Sequence, residues 1–148
     1  MKSRTRARSL ALQVLYEIDI TSHSPAQILK ERLEELPLSN DLAEFARQIV
    51  FGVLPLTREL DLIIAKYAPE WPLEQIAPID RNILRMASWE FAVQQETPVK
   101  VAINEAVELA KTFGSDSAPR FVNGVLGSLS EHQNDIFQAI LSVKDKEG

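Results

Sequence analysis

The residues with most chemistry to offer stand at the start of the chain. Lys2, Arg4, Arg6 and Arg8 occur with no acid among them, a local charge of +4, while the rest of the chain carries 12 basic and 21 acidic side chains. The net charge of −5 alone argues against a nucleic-acid partner, but its distribution sets a basic tip on an acidic body. A helix N-terminus already carries partial positive charge, so cations there oppose the helix dipole and acids would be the structural choice. The first acid after the tip is Glu17. The pattern predicts phosphate binding by Arg4, Arg6 and Arg8 rather than a merely solvated tail. On a wheel of about 100° per residue, the apolar stripe of this segment centres on Ala11 and Ile18, with Tyr16 opposite and Ser9, Leu12, Gln13 and Arg6 beside it. An aromatic ring can stack on a splayed base, an amide can read a base edge, and an arginine can take a phosphate. A tyrosine packed on a neighbouring helix is the competing reading, and the spacing supports both equally.

A second candidate runs from Lys111 to Phe121. Lys111-Thr112-Phe113-Gly114 closes one helix and Ser115-Asp116-Ser117 opens the next, with Gly114 as its C′ residue. The opening turn of a helix presents unpaired N–H groups to a phosphate, and Lys111 and Arg120 flank it. A well-capped turn is the plainer alternative. Gly124, inside the following helix, costs about 1 kcal/mol relative to alanine, which close packing of another helix would justify better than a ligand. Other chemistries are disfavoured. The chain has no cysteine and only His23 and His132, which are isolated. Glu105 and Glu108 share a helix face without the Glu-x-x-His of a di-metal bundle. There is no glycine-rich phosphate loop and no Ser–His–Asp candidate. The reading is a protein that is not an enzyme, with no cofactor and no metal.

The elements that must position these residues are helical throughout, because no stretch sustains the alternation of a strand. The first helix spans about Arg4 to Ile20 and buries Ala7, Leu10, Ala11, Val14, Leu15 and Ile18. Ser24-Pro25 opens the second, with Gln27 completing a capping box and Leu29, Leu33 and Leu36 inward. The third begins near Ser39 to Asp41 and ends before Pro55; Thr57 caps the fourth, which ends before Pro69. A proline-rich connector, Ala68-Pro69-Glu70-Trp71-Pro72, separates halves at about 1–68 and 73–148, each too thin to fold alone, so residues 1–148 read as one domain. The fifth helix covers about Ile79 to Gln95, the sixth opens at Thr97-Pro98, the seventh follows Ser115 to Ser117, and a last segment spans Asn134 to Val143. The longest apolar run, Ile49 to Leu56, is far short of a membrane span. Polar Gln13, Glu17 and Asp19 break what would be a signal-peptide core, and the core-facing stripe argues against a transit peptide, so the expected location is the cytoplasm, with no membrane.

Three blocks, in this order along the chain, resemble the bacterial NusB family of antitermination factors. Arg6-Ala-Arg8 with Ala11-Leu-Gln-Val-Leu-Tyr16 is similar to its arginine-rich first helix. Ile79-Asp-Arg-Asn-Ile-Leu-Arg-Met-Ala-Ser-Trp-Glu90 is similar to its fifth-helix block. Val101-Ala-Ile-Asn-Glu-Ala-Val-Glu-Leu-Ala-Lys-Thr-Phe-Gly114 with Phe121-Val-Asn-Gly-Val-Leu126 resembles its hallmark. The resemblance implies an all-α, NusB-like fold of two small helical bundles packed across each other, with about seven to eight helices. It implies binding to the boxA element of ribosomal RNA leader transcripts together with the ribosomal small-subunit protein NusE, within an antitermination complex on RNA polymerase that prevents premature termination. The implied RNA surface is Arg4, Arg6, Arg8, Gln13 and Tyr16 with Lys111, Phe113, Ser117, Arg120 and Phe121; Asp80 matches an acidic position on the NusE-facing side. Thr5 and Ala7 interrupt arginines that are often contiguous in the family, and Ala118-Pro119 stands where others carry polar residues, so fewer contacts are expected there. Family members occur as monomers and as homodimers, and both states stay open. Two other readings compete: the RNA-binding module of ribosomal RNA cytosine methyltransferases, for which the chain leaves no room for a methyl-donor domain, and a helical adaptor that binds no RNA.

Overall fold

Prolines and apolar periodicity divide the chain into eight α-helices in the computed structural model, which describes residues 3–70 and 72–147, with no strand among them. Lys2 of the basic tip and Trp71 of the connector lie outside the described residues. The chain forms two compact units, Met1–Pro55 and Leu56–Gly148, so the division falls at Pro55 and not at the proline-rich connector. The fourth helix, expected in the first half, belongs to the second unit, because its buried residues Leu60, Ile63 and Ile64 pack with the later helices.

The first unit holds α1 (Ser3–Ile20), α2 (Pro25–Glu35) and α3 (Asn40–Val53). Helix α1 packs against both α2 and α3, which occupies two of its faces. Its buried residues accordingly run without a break from Ala7 to Leu12 and continue at Val14 and Leu15. That corrects the two-sided wheel: Ser9 and Leu12, placed on the outer face, are buried. Ser24 and Pro25 begin α2 as expected, but no capping box forms, since Ser24 makes no side-chain cap bond and Gln27 donates to Glu31 at 2.8 Å. Ile28 and Leu29 fill the α2 core positions, while Leu36 is exposed beyond the helix end. Ser39 caps α3, its hydroxyl accepting from the Leu42 N–H at 3.4 Å.

A 3₁₀ turn at Leu54–Leu56 leads into α4 (Thr57–Tyr67), so Leu56 and not Thr57 occupies the cap position. The second unit continues with a 3₁₀ turn at Leu73–Gln75, α5 (Pro78–Ser88), α6 (Val99–Phe113), α7 (Ala118–Ser130) and α8 (Gln133–Glu147). The long fifth helix expected to reach Gln95 changes form: Trp89–Gln94 is π-helical, closed by the Gln95 N–H donating to Glu90 O at 3.1 Å with Gln95 at φ 64°. Such a widened turn alters the i→i−4 ladder, and the Gln133 side chain of α8 donates to the Phe91 carbonyl within it at 2.7 Å. A buried ion pair joins α4 to α5. Arg85, 5% exposed, donates to both carboxylate oxygens of Asp61 at 2.7 Å, and the fork is completed by a bond to Asn82 at 3.1 Å. No helix among the described residues is long and apolar enough to cross a membrane.

Candidate nucleic-acid interface

Arg4 and Arg6 lie in the first turn of α1, a turn without an acid, and Arg8 follows in the next turn. Helix α3 supplies what the helix itself lacks. The Arg4 guanidinium lies over the Phe45 ring at 4.5 Å from its centroid, and that of Arg8 at 5.0 Å. Arg4 is exposed and Arg6 half-buried, whereas Arg8 is only 3% exposed. Arg8 therefore stands behind the other two and does not share their access to solvent. Tyr16 is half-buried, lower on the same helix. Gln13, expected to offer its amide to a base, is engaged at both ends: its Nε2 donates to Ser9 O at 3.2 Å and its Oε1 accepts from Arg32 at 3.1 Å. Arg32 of α2 also donates to Glu17 at 3.0 Å. Hydrogen bonds from His23 first and Arg32 second hold the Glu17 carboxyl below its ordinary range. The Arg32 clamp docks α2 on α1, a role with no periodic signature in the sequence.

The second candidate surface lies at the α6–α7 turn. Gly114 does not use the left-handed backbone expected of a C′ glycine; it is extended, at φ −93° and ψ −179°. Its requirement is space. A Cβ there would meet the Ala118 Cβ at 2.5 Å, the Ala110 carbonyl at 2.9 Å and Asp80 Oδ1 at 3.0 Å. The anion cradle expected at the start of α7 is reduced for a specific reason: the Ala118 N–H donates to Ser115 O, the Phe121 N–H to Ser117 O, and Pro119 has no N–H. At most the Arg120 N–H is left from that turn. Ser117 occupies the cap position without a side-chain cap bond, its hydroxyl 3.4 Å from that of Ser115. Lys111 is exposed and paired with Glu108 at 3.1 Å, and Phe113 is half-buried. Gly124 faces open space, with nothing within 4 Å of the point a Cβ would occupy, so helix packing does not account for it.

Arg120 and Phe121 of α7 line an open cleft with Ser117, Gly124, Ile76, Ala77 and Asp80. The structure thus brings Asp80, the acid that the family resemblance puts on the NusE side, together with three of the residues the resemblance puts on the RNA surface, while Lys111 and Phe113 are not part of that lining. Asp80 lies in the first turn of α5, preceded by the cap residue Ala77, and so is not itself the N-cap. It is 8% exposed, its Oδ1 is buried without a hydrogen-bond partner, and burial pushes its carboxyl above the ordinary value of 3.8. The Oδ1 atom is shut off against Gly114, 3.0 Å from the point a Cβ there would occupy, so only the rest of the carboxylate can meet a ligand in the cleft. Among the described residues, no group of three or more His, Cys, Asp or Glu is placed to hold a metal ion.

The model of the NusB family matches residues 5–131. The chain belongs to the NusB family. The transcription antitermination protein NusB of Chloroflexus aggregans is 48% identical over 128 residues, covering 85% of this chain and 85% of its own. That of Bacillus pumilus is 43% identical over 138 residues, covering 93% of this chain and 99% of its own. NusB of T. maritima superposes with a TM-score of 0.80 at 30% identity, covering 88% of this chain and 92% of that one. A chain from a crystal structure of the antitermination factors NusB and NusE in complex with double-stranded RNA also gives a TM-score of 0.80 at 30% identity, covering 88% of this chain and 98% of that one. The NusB-like, all-helical fold expected from the sequence is therefore the fold of this chain. The Arg6–Tyr16, Ile79–Glu90 and Val101–Leu126 blocks that carry the resemblance all lie within the matched span.

Proposed function

We propose that this chain is a cytoplasmic transcription antitermination factor that binds boxA RNA of ribosomal RNA leader transcripts together with NusE and enters an antitermination complex on RNA polymerase. The observation that carries the RNA reading is that one helix in each unit carries both an exposed cation and a half-buried aromatic: Arg4 and Tyr16 on α1, and Arg120 and Phe121 on α7. Cations take phosphates and rings stack on bases, which suits a single strand with splayed bases. Asp80, in the cleft that Arg120 and Phe121 line, is the residue for NusE, its carboxylate an acceptor for a donor on that partner. The antitermination names of the relatives, which this chain matches over 85% and 99% of their lengths, favour this reading over a methyltransferase module.

Fluorescence anisotropy with single-stranded boxA RNA, with and without NusE, tests it. Binding is expected to be weak alone and tighter with NusE. With three to five phosphate contacts, the slope of log affinity against log salt should be about −2 to −4. Tyr16→Ala should cost about 1–3 kcal/mol of RNA affinity with little change in slope. Equal affinity with and without NusE would count against the joint site, and no RNA binding in either case would leave a helical adaptor. A Tyr16→Ala protein that loses several kcal/mol of stability and loses RNA binding only through its unfolded fraction would make Tyr16 a packing residue.

A further inference from the structure

We propose that Phe45 of α3 is the positioning residue of the phosphate-binding tip: its ring holds the Arg4 and Arg8 guanidinium groups so that Arg4 meets RNA already oriented. This rests on the reading that the tip takes RNA. The geometry is the two guanidinium carbons 4.5 and 5.0 Å from one ring centroid. Arg4 and Arg8 are one turn apart on a helix whose first turn has no acid. Like charges at that spacing repel, and both oppose the positive end of the helix dipole. The dipole and the spacing both work against the arrangement, whereas an aromatic face attracts cations through its quadrupole. An acid at position 45 would hold the same arginines but would also cancel the charge that a phosphate needs. A ring holds a cation and leaves its charge intact.

The shape of the guanidinium adds a second advantage. Its N–H donors lie in its own plane, so a group attracted by its face keeps its edges for a phosphate. Arg4 is exposed and can use them; Arg8, buried on the same ring, stands behind it. A side chain already held loses less rotamer freedom on binding. Phe45 is 9% exposed, and a leucine there would keep an apolar side chain in the core, though a smaller one. What leucine lacks is the π face.

The test compares Phe45→Leu, Phe45→Tyr, Arg4→Ala and the Phe45→Leu/Arg4→Ala double variant in binding to single-stranded boxA RNA over a range of salt. Affinities are referred to the folded fraction from urea midpoints. Phe45→Leu should weaken binding about 2- to 5-fold, the equivalent of one exposed cation–π contact. It should flatten the salt slope by up to about 0.7, the share of one phosphate contact. Phe45→Tyr should retain both, and the double variant should bind little worse than Arg4→Ala alone, because both changes remove one device. In the RNA-free protein, the Arg4 side-chain proton resonances should carry a ring-current shift that Phe45→Leu abolishes; should that variant not fold, Phe45→Met takes its place. Unchanged affinity and slope in Phe45→Leu, with Arg4→Ala weakened, would make Phe45 a core residue only and overturn the inference. Arg4→Ala binding as tightly as the parent would remove the tip from the RNA surface, and that result would refute the underlying reading instead.

Discussion

Replacing Gly114 by alanine isolates the contact that sets α7 against α5 and α6. The added Cβ would stand 2.5 Å from the Ala118 Cβ, 2.9 Å from the Ala110 carbonyl oxygen and 3.0 Å from Asp80 Oδ1. Carbon atoms in contact prefer roughly 3.5–4.0 Å, so the first of these must open by about 1 Å. None of the three neighbours yields cheaply: one is a Cβ fixed to the start of a helix, one is backbone, and the third belongs to a buried side chain. The backbone at φ −93° and ψ −179° suits alanine, so there is no conformational strain to add. Overpacking of this kind costs about 1–3 kcal/mol, and the loss of unfolded-chain freedom on Gly→Ala offsets about 0.4–1 kcal/mol. The net expectation is a destabilisation of about 1–2 kcal/mol, read as a lower urea midpoint at unchanged m-value. At roughly 2–4 °C per kcal/mol, Tm should fall by about 2–8 °C. Ala118→Gly removes the nearest obstacle, so Gly114→Ala/Ala118→Gly should be more stable than the sum of the two single changes allows, by about 1 kcal/mol. Binding through Arg120 and Phe121 should weaken as well, since relief of the clash displaces the turn that carries them. A Gly114→Ala protein as stable as the parent, or strict additivity in the cycle, would refute the steric argument.

The buried Asp80 carboxyl predicts a pH dependence. Its folded value is raised by burial, so the folded chain holds this proton more readily; the associated stability is complete below the ordinary 3.8 and is lost as pH rises through the folded value. Asp80→Asn should therefore raise the urea midpoint at neutral pH, with an advantage that shrinks on acidification, and an advantage that grew instead would exclude the burial argument. At the α4–α5 contact, Asp61→Ala removes two 2.7 Å bonds from a guanidinium that is 5% exposed and should cost about 3 kcal/mol. Arg85→Met should cost less, because Asp61 is partly open to solvent; equal losses in thermal melts would show that the buried cation is not what makes the pair sensitive.

The residue pattern alone is enough for the helical class, for most helix boundaries and for most of the apolar stripe of α1 (Ala7, Leu10, Ala11, Val14 and Leu15), because a 3.6-residue period and helix-breaking prolines are local properties. It is also enough for the family, whose blocks are contiguous stretches of chain. Tertiary packing decides the rest. Whether Ser9 and Leu12 face solvent depends on which elements pack on α1, and both α2 and α3 do. Whether Gln13 is open to a ligand depends on Arg32, 19 residues away on another helix. The Arg85–Asp61 pair spans 24 residues and leaves no periodic trace. Gly114 reads in the sequence as a helix terminator valued for its backbone freedom, but the fold needs its missing side chain, a requirement created only when α5 and α7 approach it. Phe45 gains its contact with Arg4 and Arg8 only when α1 and α3 pack and place the two arginines over its ring. Local sequence determines which side chains a helix can bury; which neighbour meets each of them is a long-range property, and the chemistry of both candidate surfaces depends on it.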